Sequence, residues 1–542
     1  MRSPLVRIGL ASTPWLRPLA TALAIGLVGA LVAIPLFPRQ VFMGPPWGTY
    51  GMNSQHQGIS RFAAAPLQVI KWSTPVDLAP PYDSGGDLLI HYAPPLITRK
   101  NTVVITLKLP PLSAGLPDRF QAEGHSGVDG SLLWTMSTNY VVPPHTWFPA
   151  CAGSIVLRSS YVMPDTGGNV LFRGSADASS APVQQLCFYG LGNYTANQAW
   201  CDANVFVSSP IVADGNGNMW FSYWVTSTSP PAGFPAIGEG GIARLNTAGV
   251  GQFVTATAAA GGDSLITQPQ LNCAPAISPD GKSVYAGVRA NTSYYGYLCK
   301  MSAATLAPQT WVFLKDPWTG NAARVLNEST ASPTIGMDGD VYYGIFNNPY
   351  LDSHGWLSHW DKNLTSKGAV GAFGWDDTPT IVPASVIHAY SGDSRYLILS
   401  KYNQYAGFYY SNINQYSTGE NKLAVLDPNT AGTVDFRTSL SVMTEVLTVL
   451  GITADDYFRS IGYPNAVREW CISTAAIDPF TRCAIVNSED GTIYRWDFDT
   501  NTLSEKVTLA PPTGEAYTAT AIGPDGTVYA INNAVLFAVG PS

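Results

Sequence analysis

Ala331-Ser-Pro-Thr-Ile-Gly-Met-Asp-Gly-Asp-Val-Tyr-Tyr-Gly-Ile-Phe346 reads as a short strand, an Asp-Gly turn and a second strand rich in aromatic and β-branched residues. Variants recur along the chain, at Ser209-Pro-Ile-Val-Ala-Asp-Gly-Asn-Gly-Asn-Met-Trp-Phe221, Ala274-Pro-Ala-Ile-Ser-Pro-Asp-Gly-Lys-Ser-Val-Tyr285 and Ala519-Thr-Ala-Ile-Gly-Pro-Asp-Gly-Thr-Val-Tyr529. The turn glycines Gly281 and Gly339 stand roughly 60 residues apart, the scale of one four-stranded unit with its loops. A strand unit repeated at that interval predicts a β-propeller.

Outward from that stretch, the repeat predicts eight blades. Blade one has strands near 93–98, 101–107, 118–124 and 131–136. Blade two starts near Gly153-Ser-Ile-Val156, with strands near 169–174 and 183–189 and a poorly marked fourth. Blades three, four and five span about 209–255, 274–314 and 331–373. Blade six begins near Ser385-Val-Ile-His-Ala389 and contains Lys422-Leu-Ala-Val-Leu-Asp427. Blade seven has strands 472–478, 483–488, 492–499 and 504–510. The eighth stops after three, at 518–523, 527–532 and 535–540. The lone strand Leu67-Gln-Val-Ile-Lys-Trp-Ser73 supplies its missing fourth and closes the ring. The alternative is a seven-bladed ring without blade two. A small helical insertion is expected over about 438–464. Apolar residues at 443, 446, 447 and 450 have helical spacing, Gly451 suits a C′ position, and Thr453-Ala-Asp-Asp456 opens a second short helix.

Composition fits a turn-dense all-β protein: 12 % charged and 11 % aromatic residues, 51 Gly and 41 Pro. A net charge of −8 without Lys/Arg clusters argues against nucleic acid as a partner. Residues 1–18 carry Arg2, Arg7 and Arg17 and no acid, and an apolar run follows from Leu19 to Phe37. That predicts a cytoplasmic tip and a signal anchor over 1–37, with everything after it outside the cytoplasm, periplasmic or at the cell surface. Cleavage after Ala30 and secretion is the alternative. Residues 38–66 read as a linker, and 67–542 as the propeller. Of the seven cysteines, Cys471 and Cys483 are the pair expected to bridge, and none has zinc or haem spacing.

These elements resemble the quinoprotein-type (PQQ-like) β-propeller repeat, over roughly residues 67–540. The resemblance is carried by Ser332-Pro-Thr-Ile335, Asp525-Gly-Thr-Val-Tyr529, Leu423-Ala-Val-Leu-Asp427 and the outer-strand tryptophans Trp72 and Trp134. The family includes dehydrogenases, assembly scaffolds and binding proteins, so the resemblance implies a fold more than an activity. The chain departs from the dehydrogenase branch, because no two of its cysteines are adjacent.

On a propeller, the loops entering each innermost strand share a face with those joining its second and third strands. Counting seven residues back from the innermost-strand Ile or its equivalent lands on Ile90, Phe148, Asn204, Gln270, Glu328, Thr380, Trp470 and Glu515. The oxygens of Asn204, Gln270, Glu328 and Glu515 suit Ca²⁺ or a polar ligand near the axis. The plainer reading is that each bonds its own loop. The blade-six loop over 401–416, with Tyr402, Tyr405 and Tyr409 among amides, suits stacking on a sugar or peptide. Beside it lie Tyr350 and His354 of blade five, and the pair Asp376-Asp377 entering blade six.

The expected function is a binding or scaffold protein of the cell envelope, without quinone redox activity. It would meet a protein or glycan partner and hold the membrane through its N-terminal run. No cofactor is predicted, although Ca²⁺ suits the axial oxygens. The rival readings are a polysaccharide-active hydrolase or lyase, with Asp376, Asp377 and His354 as its only candidate acid and base, and an atypical PQQ-dependent dehydrogenase.

Overall fold

In the computed structural model, which describes residues 45–88, 90–144, 151–326, 331–349, 354–404, 418–470, 472–512 and 518–542, the repeat folds as its sequence implies. Thr334–Ile335 pairs antiparallel with Val341–Phe346. The turn between them needs a left-handed residue, and Gly339 supplies it at φ +94°. Val341–Phe346 in turn pairs with Gly355–Trp360.

Among the described residues the strands form eight blades, and the eighth is closed as expected. Val69–Pro75 runs antiparallel to Val535–Gly540, with Trp72 opposite Ala538 and Pro75 opposite Val535. Trp72 is buried and donates from Nε1 to the carbonyl of Gly127 in blade one, at 3.2 Å. Trp134 of blade one repeats the device, donating to Ala176 of blade two at 2.7 Å, with the Arg173 guanidinium 4.2 Å above its ring. These two tryptophans therefore join blade eight to blade one and blade one to blade two. Burying an indole of this size contributes roughly 4–6 kcal/mol by area.

Blade two is complete: Ser160–Pro164, unmarked in the sequence, is its second strand and pairs with both Ser154–Val156 and Asn169–Arg173. The seven-bladed alternative is thereby removed. Blade six differs from its predicted register. Its innermost strand is Thr380–Pro383, and Ala384–Val386 is a single 3₁₀ turn. Thr380 thus lies within the strand, and Asp376 and Asp377 occupy the loop that enters it.

The first expected helix of the insertion is a strand. Thr444–Leu450 pairs with Lys422–Asp427 as the outer strand of blade six. Apolar residues lie on both faces of this strand, with Leu447 buried and Val446 and Val449 half-buried, so spacing alone misleads. The second helix exists as one turn, Asp456–Ser460, capped by Asp455, which accepts from the Phe458 amide at 3.0 Å. A hairpin, Thr433–Val434 with Ser441–Val442, precedes the outer strand and packs towards blade five, where Met443 donates to Val370. Blade five itself has three strands among the described residues.

The segment expected to be a linker is, from Pro45 onwards, built into the ring. The amides of Ile97, Ile155, Ile277, Ile335, Ile381 and Ile477 donate to the carbonyls of Trp47, Gly48, Ser54, Gln55, Gln57 and Gly58 at 2.7–3.0 Å. Thr49 Oγ1 donates to the Ile211 carbonyl at 3.1 Å, and Ala65 donates to Gly526 of blade eight at 2.8 Å. Each isoleucine is at the exit of an innermost strand, just before the first hairpin turn of its blade. The segment therefore lies across the axis at the end opposite the candidate ligand face.

The anchor expected over 1–37 lies outside the described residues. Among the described ones, no helix is long and apolar enough to cross a membrane. Cys471 is also outside them, and Cys483 is a free thiol 3.0 Å from Arg495 Nη1.

Candidate functional site

Blade six organises the loop face. Its second strand, Tyr396–Tyr402, presents alternate side chains to opposite neighbours. Lys401 and Tyr402 consequently head two separate clusters, and the residues grouped together from the sequence are divided between them.

Lys401 turns to the blade-seven side. Its Nζ is 3.0 Å from Asp376 Oδ2, and neither side chain has any solvent exposure. Next in sequence, Asp377 accepts from Ser400 Oγ at 3.1 Å and from the Lys401 amide at 3.3 Å. Burial pushes the Asp377 carboxyl up to about 7; Asp376 adds to the shift, and the Lys401 ammonium offsets part of it.

Glu469 and Glu489 stand close by and are tied to one another. The Glu469 amide donates to Glu489 Oε1 at 3.1 Å, and the Glu489 amide to the Glu469 carbonyl at 3.2 Å. Burial raises Glu489 to about 7, against the opposing effects of the Glu469 amide and Arg468. Burial and the Glu489 charge hold Glu469 well above the usual carboxylate range, while Lys401 lowers it. Arg468 Nη1 reaches Glu489 at 3.5 Å and Asp455 at 3.9 Å. Asn403 clamps the loop from both sides, accepting from the Trp470 amide at 3.2 Å and donating to its carbonyl at 3.3 Å.

Tyr402 turns to the blade-five side, under the Lys422 ammonium at 4.5 Å from its ring centre. Its hydroxyl is 3.5 Å from Asp435 Oδ1. His354 Nε2 lies 3.3 Å from the same carboxylate oxygen. Burial depresses His354, partly opposed by Asp435. Asp435 is held below the usual range despite its burial, by His354 and by the Thr438 hydroxyl and amide. His354 is therefore removed from the Asp376–Asp377 cluster as a catalytic partner.

The remaining sequence candidates divide in two. Asn204 is engaged within its own blade, whereas Gln270 reaches across to blade five. Asn204 donates to Trp200 at 2.8 Å and accepts from Thr226, and Gln270 donates to Leu326 at 3.2 Å and accepts from the Tyr343 hydroxyl. Glu328, Tyr350, Tyr405, Tyr409 and Glu515 lie outside the described residues. Among the described residues no three His, Cys, Asp or Glu side chains are grouped to hold a metal ion.

Sequence reasoning misses Lys401 as a site residue, along with Glu469, Glu489 and Asp435. The count along the entering loops lands on Trp470, one residue from Glu469. Glu489 is hidden in Ser488-Glu-Asp-Gly491, which reads as an ordinary turn. From the axial segment one side chain extends this far: the Tyr50 hydroxyl bonds Thr378 Oγ1 at 3.0 Å, one residue from Asp377.

Ring, closing strand and loop face together define an eight-bladed β-propeller. No family model matches the chain, and no curated protein matches it. Among solved structures, a europium-containing methanol dehydrogenase aligns over 90 % of this chain and 89 % of its own, with 9 % identity and a TM-score of 0.50. A quinohemoprotein alcohol dehydrogenase from Comamonas testosteroni aligns over 92 % and 81 %, with 10 % identity and a TM-score of 0.49. BamB from Moraxella catarrhalis aligns over 87 % and 100 %, with 11 % identity and a TM-score of 0.41. At 9 % identity the likeness to the methanol dehydrogenase is one of fold alone.

Proposed function

We propose that the chain is a binding or scaffold protein of the cell envelope, held outside the cytoplasm by its apolar N-terminal run and working through the loop face of blades five to seven. The observation that carries this reading is the carboxyl cluster around Asp377, Glu469 and Glu489. Burial is the main cause of their raised proton affinities, so each carboxyl is short of the positive charge that would hold it ionised. A basic segment of a protein partner, or an amino-bearing glycan, supplies what is lacking. Loops fixed on a rigid ring present such groups with little ordering cost.

The test is capture of partners from the native envelope, and binding to a glycan array, by the wild type and by Glu469→Gln/Glu489→Gln. A partner lost by the double variant supports the reading. Equal capture by both proteins refutes it.

A second reading rests on the same carboxyls. Two carboxyls raised to about 7 on the loop face, Asp377 and Glu489, suit general acid and base work on a polysaccharide. Product released from a bound glycan, and lost in Asp377→Asn, would favour that enzyme.

PQQ does not fit the residues present. It bears three carboxylates, while the cations of this face are already engaged, Lys401 by Asp376 and Arg468 by Glu489 and Asp455; the chain also has no adjacent cysteine pair. Dye reduction with alcohols or sugars that depends on added PQQ and Ca²⁺ would overturn this assignment.

A further inference from the structure

A ring of blades is close to a one-dimensional stack, in which each blade touches only its two neighbours and opens nearly independently of the distant ones. Residues 47–60 break that pattern. Six innermost isoleucine amides, from six different blades, donate to this one short segment, and Thr49 ties in a seventh blade through Ile211.

Side chains double several of these links. Gln55 Nε2 donates to the Ile277 carbonyl and Gln57 Nε2 to the Ile335 carbonyl, both at 3.0 Å, and His56 Nδ1 lies 2.7 Å from the Pro333 carbonyl. Gly58 sits at φ +64°, where an added Cβ would come within 2.5 Å of Thr380 Cγ2 in blade six and 2.7 Å of the Ala475 carbonyl at blade seven. The segment is thus wedged between blades as well as bonded to them. Trp47 and His56 are wholly buried, and Ser54, Gln55 and Gln57 are half-buried.

We propose that residues 47–60 form a strap that couples the blades, making the innermost strands open as one cooperative unit. The strap also reaches the candidate site. Tyr50 bonds Thr378, and the Thr378 hydroxyl accepts from the Ser332 amide of blade five, so a change at the loop that carries Asp377 is transmitted to the strap and from there to the other blades.

The test is native-state hydrogen exchange on the full chain in low, graded urea, with peptides covering Ile97, Ile155, Ile277, Ile335, Ile381 and Ile477. All six amides are expected to share one opening free energy and one urea dependence. The variant Gln57→Ala removes only the side-chain bonds to Ile335 and Asn53 and leaves the backbone acceptor for Ile381 in place. It is expected to speed exchange about tenfold at all six positions, including Ile97 and Ile155, which Gln57 does not touch. Opening that differs blade by blade in the wild type, or acceleration confined to Ile335 and Ile381 in the variant, overturns the proposal. Should the variant fold poorly, the wild-type profile alone decides.

Discussion

Replacing Lys401 by methionine tests the central claim about the loop face, that a full ion pair is buried there. The substitution keeps most of the side-chain volume and removes the charge, leaving the buried Asp376 carboxylate without its ammonium. At 3.0 Å separation and no exposure of either side chain, loss of one partner costs about 3–5 kcal/mol. The double variant Lys401→Met/Asp376→Leu removes both charges and is expected to recover most of that loss, because apolar replacements of similar size often match a buried pair. The neighbour responds as well. Lys401 holds Asp377 down, so in Lys401→Met the Asp377 carboxyl moves further above 7. Urea unfolding at pH 7, followed by tryptophan fluorescence, gives the four midpoints of the cycle. A Lys401→Met cost below about 1 kcal/mol, or a double variant no better than the single, would refute the buried pair.

Three other outcomes are expected. Asp377 has a folded pKa near 7 against an ordinary value of 3.8, so the folded chain binds the extra proton and the group's stabilising effect disappears as pH rises from about 4 to 7. Asp377→Asn should therefore gain stability relative to wild type across that window, by about 1.4 kcal/mol for each step of one in pH; a difference that stays flat with pH argues against it. His56, depressed to about 4 by burial, works in the opposite sense, and comparison at fixed pH separates the two. Gly526→Ala places a Cβ 2.8 Å from the Ala63 carbonyl at φ +83° and should cost about 1–3 kcal/mol in thermal unfolding. Trp72→Ala, which empties the joint between blades eight and one, should cost about 3–5 kcal/mol and make the N-terminal strand the first site cut by protease.

The blade architecture is legible because it is local. Asp-Gly turns, β-branched runs and the orphan strand 67–73 each state their conformation within a few residues, and the ring follows from repeating them. What escapes is non-local. Residues 45–62 look like a linker because no strand pattern marks them, and only the seven isoleucines distributed over the chain reveal what they meet. Thr444–Leu450 reads as helix because apolar spacing at 443, 446, 447 and 450 satisfies two geometries, and its strand partner at 422–427 decides between them. The site suffers in the same way. His354 and Asp376 fall on one face in sequence order, yet the alternation of Lys401 and Tyr402 sends their neighbourhoods to opposite sides of blade six.

The closing strand has a consequence for synthesis. Val69–Pro75 leaves the ribosome early, but its partner, Val535–Gly540, is made roughly 460 residues later, a delay of about 20–90 seconds at usual elongation rates. Through that interval a strand with Val69, Ile70 and Trp72 waits without its mate, and so does the strap before it. The newborn chain must shelter the sequence that will later lock it. A transcript cut short anywhere in the last blade yields a protein with seven formed units and an unmatched strand at each end, a species made for pairing with its own copies.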